Sequence, residues 1–354
     1  MAYRQRVERE LDRWIAAGHV AGDKRAAMLA MVEEPRRLDA ATALAFVGAL
    51  LLGLATIAFI AANWDGLPRL VRFGLVLALF AAAIGGAAWA AGKQRPALAN
   101  ALTTLGALIF AAAVGLIGQI FDIAGVPAHA LLGSGAAAAL LALAGRSTGA
   151  AIAALLLIGL GALQLDHRAP WLLLCAAAPA VLAAWSWKSS ALAHAASLAL
   201  IIAVGWLCGT SGAAIGWFLT AAVVAAIAAA GARWRARASD DAMFATFYGW
   251  AVWGALTYLV SAGLSHLDTG PNMIPHRLAW LAASCGAIAL GRHDRHGLVT
   301  SAGVIFLIGA IGALLIDLGV DLLTAAGLFL ACAVVALIGG LVLRRNALNR
   351  KAAP

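Results

Sequence analysis

The chain has 354 residues, 64% of them hydrophobic and 12% charged, a mean hydropathy of +0.93 and a formal net charge of +9. Soluble domains are roughly 45–50% apolar and ~25% charged, so a soluble fold is excluded, and long apolar runs in lipid must be helices that satisfy their own backbone. The charge does not mark a nucleic-acid binder, because the basic residues lie in short gaps beside apolar runs rather than on one polar domain.

Residues 1–40 are highly charged and contain no signal-peptide core. Within 3–34, Val7, Leu11, Trp14 and Ile15 recur at helical spacing, and Gly18 and Gly22 break the pattern. Asp23 is the expected N-cap of a second short helix running through Met31 and Val32, and Glu33-Glu34-Pro35 ends it. The segment reads as an amphipathic helical hairpin capping the bundle at the cytoplasmic surface, with partner docking as a second use. The first apolar run, from Ala41, is expected to serve as an uncleaved anchor.

Beyond it the hydropathy predicts twelve spans, at 41–62, 70–91, 98–123, 128–144, 148–165, 170–187, 190–208, 212–232, 242–264, 276–291, 297–316 and 321–343. Gly66-Leu67-Pro68, Gly125-Val126-Pro127, Gly209-Thr210-Ser211-Gly212 and Gly270-Pro271 supply turn chemistry between spans. Such short connections make successive helices antiparallel neighbours. The expected fold is therefore an all-α, polytopic transmembrane bundle of about 12 spans. Its parts are the hairpin at 1–40, four spans at 41–145, eight more at 146–343 and a basic tail at 344–354.

Of the 25 Lys and Arg, all but Arg69, Arg72, Arg168 and Arg277 fall in the tails and even-numbered gaps. Cytoplasmic loops retain cations, so both termini are expected in the cytoplasm of a bacterial inner membrane protein. Trp64, Trp171, Trp206, Trp217 and Trp280 fall near predicted outer helix ends, and Trp89, Trp185, Trp187 and Trp234 near inner ones, as interfacial aromatics should. Trp250 and Trp253 are mid-span and are expected to pack between helices. Cys175, Cys208, Cys285 and Cys332 all sit within apolar runs with no CxxC spacing, and read as small hydrophobes. Asp122-Ile123-Ala124-Gly125-Val126 echoes Asp317-Leu318-Gly319-Val320, but Ala/Leu/Gly-rich sequence produces such matches freely, so no repeat is inferred.

The N-terminal part carries distinctive pieces: Trp14…Gly18-His19-Val20, Gly48-Ala49-Leu50-Leu51-Leu52-Gly53, Phe59-Ile60-Ala61-Ala62-Asn63-Trp64 and Leu116-Ile117-Gly118-Gln119-Ile120-Phe121. Over about residues 5–150 it resembles the bacterial predicted-membrane-protein family with the N-terminal domain of unknown function 2157. The resemblance implies an integral inner-membrane protein and supplies no catalytic residues.

One polar constellation stands out. Asn63, Trp64 and Asp65 end the first span, Arg69 and Arg72 begin the second, Gln119 and Asp122 end the third, and His129 begins the fourth. Residues three apart share a helix face, and ionisable groups bordering lipid tend to face a partner inside the bundle. Arg72 is expected to pair with Asp122, and Asn63 and Gln119 to bond each other or exposed carbonyls. A structural latch is the leading reading, with a ligand or ion entrance second. Asp166, His167, His266, Asp268, His276, Asp317 and Asp321 are metal-ligand types on the outer side, but their spacing is loose, so solvated loops are the default and no metal or cofactor is expected.

No motif carries chemistry. Gly133-Ser134-Gly135 is not a nucleophile elbow, and no H-E-x-x-H helix is present. Mid-span ionisable residues are scarce and Pro179 is the sole proline well inside a span, which argues against an ion-coupled carrier. The expected role is a non-catalytic envelope scaffold or membrane-complex partner. The alternatives are a transporter or permease for a neutral or lipid-like solute, then a lipid-modifying enzyme using Asp122 or His129. The expected partners are the lipid bilayer and other membrane proteins, not nucleic acid.

Overall fold

The computed structural model describes residues 3–31, 68–121, 125–165, 170–211, 214–239, 241–264 and 273–319, which are helical and contain no strand. The chain divides into two compact units, Met1–Arg72 and Phe73–Pro354.

In the first unit, α1 (Tyr3–Ala16) is followed by a 3-10 turn (Gly22–Lys24) and α2 (Arg25–Ala30). Gly18, at φ +74°, closes α1: its N–H donates to Ile15 C=O at 3.0 Å, and the His19 N–H donates to Trp14 C=O at 2.9 Å. Only glycine adopts that left-handed C-terminal position without steric cost. Leu11 and Leu29 are buried, and Arg25 donates to the Asp12 carboxylate at 2.7 and 3.4 Å. Asp23 does not cap α2. It lies inside the 3-10 turn, and Lys24 holds the N-cap position without a side-chain bond. The Arg25 N–H, which an Asp23 cap would accept from, donates instead to the Gly22 carbonyl within the turn.

Ten long helices follow: α3 (Arg69–Gly92), α4 (Pro96–Ile120), α5 (Pro127–Gly145), α6 (Thr148–Leu163), α7 (Pro170–Trp187), α8 (Ser190–Gly209), α9 (Ala214–Ala238), α10 (Ala242–Leu264), α11 (Ile274–His293) and α12 (Gly297–Asp317). They coincide with ten of the twelve predicted spans; 41–62 and 321–343 lie outside the described residues. Eight are long and apolar enough to cross a membrane, with mean hydropathies of 1.2–2.4. The other two fall short for different reasons. The 16 residues of α6 rise about 24 Å against a hydrocarbon core of ~30 Å. At the ends of α11 sit His276, Arg277, Arg292 and His293, which depress its hydropathy.

The helices form hairpins, and four corners share one backbone design. Gln94, Arg146, Lys188 and Arg295 each take a left-handed conformation, at φ 55°, 46°, 54° and 53°. The residue after each donates its N–H five residues back: Arg95 to Ala90, Ser147 to Ala142, Ser189 to Ala184 and His296 to Gly291, at 2.8–3.0 Å. That same residue then starts the next helix. Ser147, Ser189 and His296 accept from the N–H groups of Ala150, Leu192 and Val299, while Pro96 takes the first position of α4. A non-glycine residue held left-handed costs about 1–2 kcal/mol, and three of the four carry a cation beside a helix C-terminus, where the macrodipole favours it. The fifth corner uses Asp241, which accepts from Met243 N–H at 3.1 Å. The repetition thus lies in corner geometry, where the sequence echo of Asp122 and Asp317 did not show it.

Small residues let the paired helices close. A Cβ on Gly135 would lie 2.6 Å from Ile158 Cγ1, and one on Gly303 would lie 2.8 Å from the Ser284 carbonyl. In lipid, association rests on such close packing and on polar contacts, since the tails are as apolar as the helices. The second helix of each hairpin, α4, α6, α8 and α10, packs against both helices of the next. Ala138, Ala154, Ala193 and Leu192 fill the seam between the second and third hairpins.

Candidate functional site

Of the polar constellation expected from sequence, Asn63, Trp64, Asp65 and Asp122 lie outside the described residues, as does the Arg72–Asp122 pairing. Arg69 and Arg72 occupy the first turn of α3, Gln119 lies in the last turn of α4, and His129 is an exposed residue in the first turn of α5.

A different polar cluster is assembled where the ends of α10, α11 and α12 meet. Arg277 Nε donates to Asp317 Oδ2 at 2.7 Å, and the two side chains are 3% and 1% exposed. Arg277 Nη1 lies 3.2 Å from His276 Nδ1, and His276 Nε2 lies 2.8 Å from the Leu259 carbonyl. Guanidinium can only donate and a carbonyl can only accept, so His276 is the neutral Nε2–H tautomer. The chain of bonds therefore runs from α10 through α11 to α12. Gly263 makes room for it, because a Cβ there would collide with the His276 ring. Beside it Trp280, expected at the interface, is buried against Gly309, and its Nε1–H has no partner among the described residues.

Both charges sit at the wrong ends of their helices. Arg277 lies in the first turn of α11, where the macrodipole is positive, and Asp317 closes α12, where it is negative. Each therefore loses about 0.3–1 kcal/mol to its own helix and several more to desolvation. The ion pair between them offsets this. Of the groups weighed as metal ligands, His276 and Asp317 instead direct acceptors at Arg277, and the others lie outside the described residues.

On the opposite face, polar ties join successive hairpin corners. Ser147 Oγ donates to Asn100 Oδ1 at 2.8 Å, Thr148 and Ser189 hydroxyls meet at 3.0 Å, and Lys188 pairs with Asp241. His296 Nε2 donates to the Ala245 carbonyl at 2.8 Å. Asp294 collects most: Arg233 Nε at 2.6 Å and Nη2 at 3.0 Å, Arg237 Nη2 at 2.6 Å and Tyr248 Oη at 3.1 Å. The Arg233 guanidinium, helped by Arg237 and Tyr248, holds the Asp294 carboxyl far below the usual carboxylate range despite its burial. Lys188 first, then the Met243 N–H, lowers Asp241. Trp250 and Trp253 do pack between helices, donating to His194 Nδ1 at 2.8 Å and to the Leu298 carbonyl at 3.0 Å.

Sequence reasoning missed both centres. Arg277 counted only as an outer cation, and Asp317 as a loose ligand type and as part of a sequence echo. Asp294 was passed over, although it is the lone acid in Arg292-His293-Asp294-Arg295 and faces two arginines four apart on α9.

Apolar helices of spanning length, joined by tight corners and tied by polar side chains at their ends, define an integral membrane protein. Residues 12–151 match the family described as "Predicted membrane protein (DUF2157)", the family whose N-terminal motifs this chain resembles. No curated protein and no solved structure matches the chain. The Arg277–Asp317 pair and Asp294 lie beyond the matched region.

Proposed function

We propose that the protein is a non-catalytic membrane scaffold, a rigid platform for other components of a bacterial inner membrane. It would cross twelve times, with 41–62 and 321–343 as the remaining spans, both termini and the corner face cytoplasmic, and 1–40 as a surface cap. Asn63, Trp64, Asp65, Arg69, Arg72, Gln119, Asp122 and His129 would then form a polar latch at the outer ends of the first four spans.

The observation that carries this reading is the unbroken series of ties from Asn100 to Asp294, which links every pair of successive corners on one face. A carrier alternates by rocking one group of helices against another, and that motion would have to break several of these ties together. Spin labels at Gln94 and Arg295 in vesicles, read by pulsed dipolar spectroscopy, test it. A platform gives one narrow distance that an imposed ion gradient leaves unchanged. Two interconverting distances would overturn the reading in favour of a permease.

A further inference from the structure

Three of the open apolar grooves among the described residues run between helices, and one of these differs from the other two in its charge. The grooves of about 410 and 350 Å³ are lined by Ala, Leu and aromatic side chains without a cation at the mouth that would say what fills them. The third, of about 460 Å³, lies between α9, α10 and α11, with Ala230, Val252, Leu256 and Ala287 on its walls. Arg233, Trp234 and Arg237 also line it, all within the last turns of α9, so the mouth lies at the helix ends.

Two guanidiniums meet one carboxylate here, leaving the mouth net positive. Asp294 is not part of the groove lining, and Arg237, which gives it a single N–H, is 53% exposed. Trp234 is exposed beside the groove with Arg235 over its ring, an arrangement suited to the headgroup layer. Basic pockets between helices at a membrane surface recognise anionic lipid headgroups, whose charge complements the pocket.

We infer that this groove seats an anionic phospholipid, with one acyl chain along the Ala230–Leu256–Ala287 walls and its phosphate against Arg237 and Arg233. The inference is independent of the scaffold reading, since a platform and a carrier could each hold such a lipid.

Native mass spectrometry of the full chain in detergent, with equimolar phosphatidylglycerol and phosphatidylcholine of matched chains, tests it. The wild type retains phosphatidylglycerol preferentially. Arg237→Gln lowers that preference about fivefold, the equivalent of one surface cation, while Arg146→Gln, the same charge change at a remote corner, leaves it intact. Gly286→Phe reduces retention of both lipids by filling the groove; a Cβ at Gly286 meets nothing within 4 Å, and an unchanged circular dichroism spectrum of the variant confirms that it folds. Equal retention of the two lipids, a preference that survives Arg237→Gln, or binding that survives Gly286→Phe would each overturn the inference. Displacement by water-soluble glycerophosphoglycerol at matched concentration would overturn it too, since the groove would then contribute nothing.

Discussion

Removing the guanidinium from Arg277 leaves a carboxylate that is 1% exposed with its ion-pair partner gone. Breaking one member of a buried pair typically costs 3–5 kcal/mol, because the remaining charge stays desolvated. Arg277→Met should therefore lower stability by about 4 kcal/mol, and Asp317→Leu by a similar amount. The double variant Arg277→Met/Asp317→Leu should cost far less than their sum, since an apolar pair of similar volume is often neutral or better. The reversed pair, Arg277→Asp/Asp317→Arg, is the sharper test. It puts an acid at the start of α11 and a cation at the end of α12, so each charge gains rather than loses about 0.3–1 kcal/mol from its helix. Reversible unfolding in mixed detergent micelles, followed by circular dichroism, gives the four free energies of each cycle. A coupling of several kcal/mol and partial rescue by the reversed pair are expected. Additive losses in both cycles would show that the pair is not the element holding α11 to α12, and the argument from misplaced charges would fail.

Two further outcomes follow from the same geometry. Asp294 and Asp241 have carboxyl groups lowered by their cations, so their contribution is fully present above the ordinary carboxylate range and is lost as pH falls through the lowered value. The melting midpoint should stay flat from pH 7 to about pH 5 and fall below about pH 4, and Asp294→Asn should make that acid limb shallower; an unchanged limb would contradict the tie. Gly263→Ala forces a Cβ onto the His276 ring and should cost about 1–3 kcal/mol. Gly115→Ala in α4 meets nothing within 4 Å and should gain up to about 1 kcal/mol from helix propensity. Equal effects of the two in a thermal melt would show that Gly263 is not a close-approach position.

Ten helices were legible because a span of about 20 apolar residues bounded by basic gaps has few other solutions. Which helices touch beyond their neighbours in the chain was not legible. These helices are apolar nearly all round, so no stripe marks a buried face, and lipid rewards every face alike. The corners were half visible: Arg146-Ser147, Lys188-Ser189 and Arg295-His296 each join a cation to a capping side chain, a pattern that reads as topology until the left-handed backbone explains it. The Arg277–Asp317 pair was within reach of simple counting. Helices of 20 and 21 residues joined by a tight corner bring the start of one to the depth of the other's end. The reading went instead to Arg72 and Asp122, which share the same logic of matched depth on neighbouring helices but fall where Asp122 is outside the described residues.

Polar specificity in this molecule sits mainly near its two faces, and that placement has a physical reason. In mid-membrane a directional bond must be satisfied completely or not made, so small residues such as Gly135 and Gly303 set how closely helices approach without choosing a neighbour. At the ends, side chains can compete with water and headgroups, and there a wrong neighbour would leave Asp294 or Asp317 without its arginine. Hairpins of similar length and composition could be exchanged within the row at little cost to apolar packing. The ties at Ser147, Ser189, Asp241 and Asp294 discriminate between arrangements, because each needs particular side chains on the adjacent hairpin. Order along the row is therefore a property of a few interfacial side chains, and the apolar spans between them supply the membrane crossing.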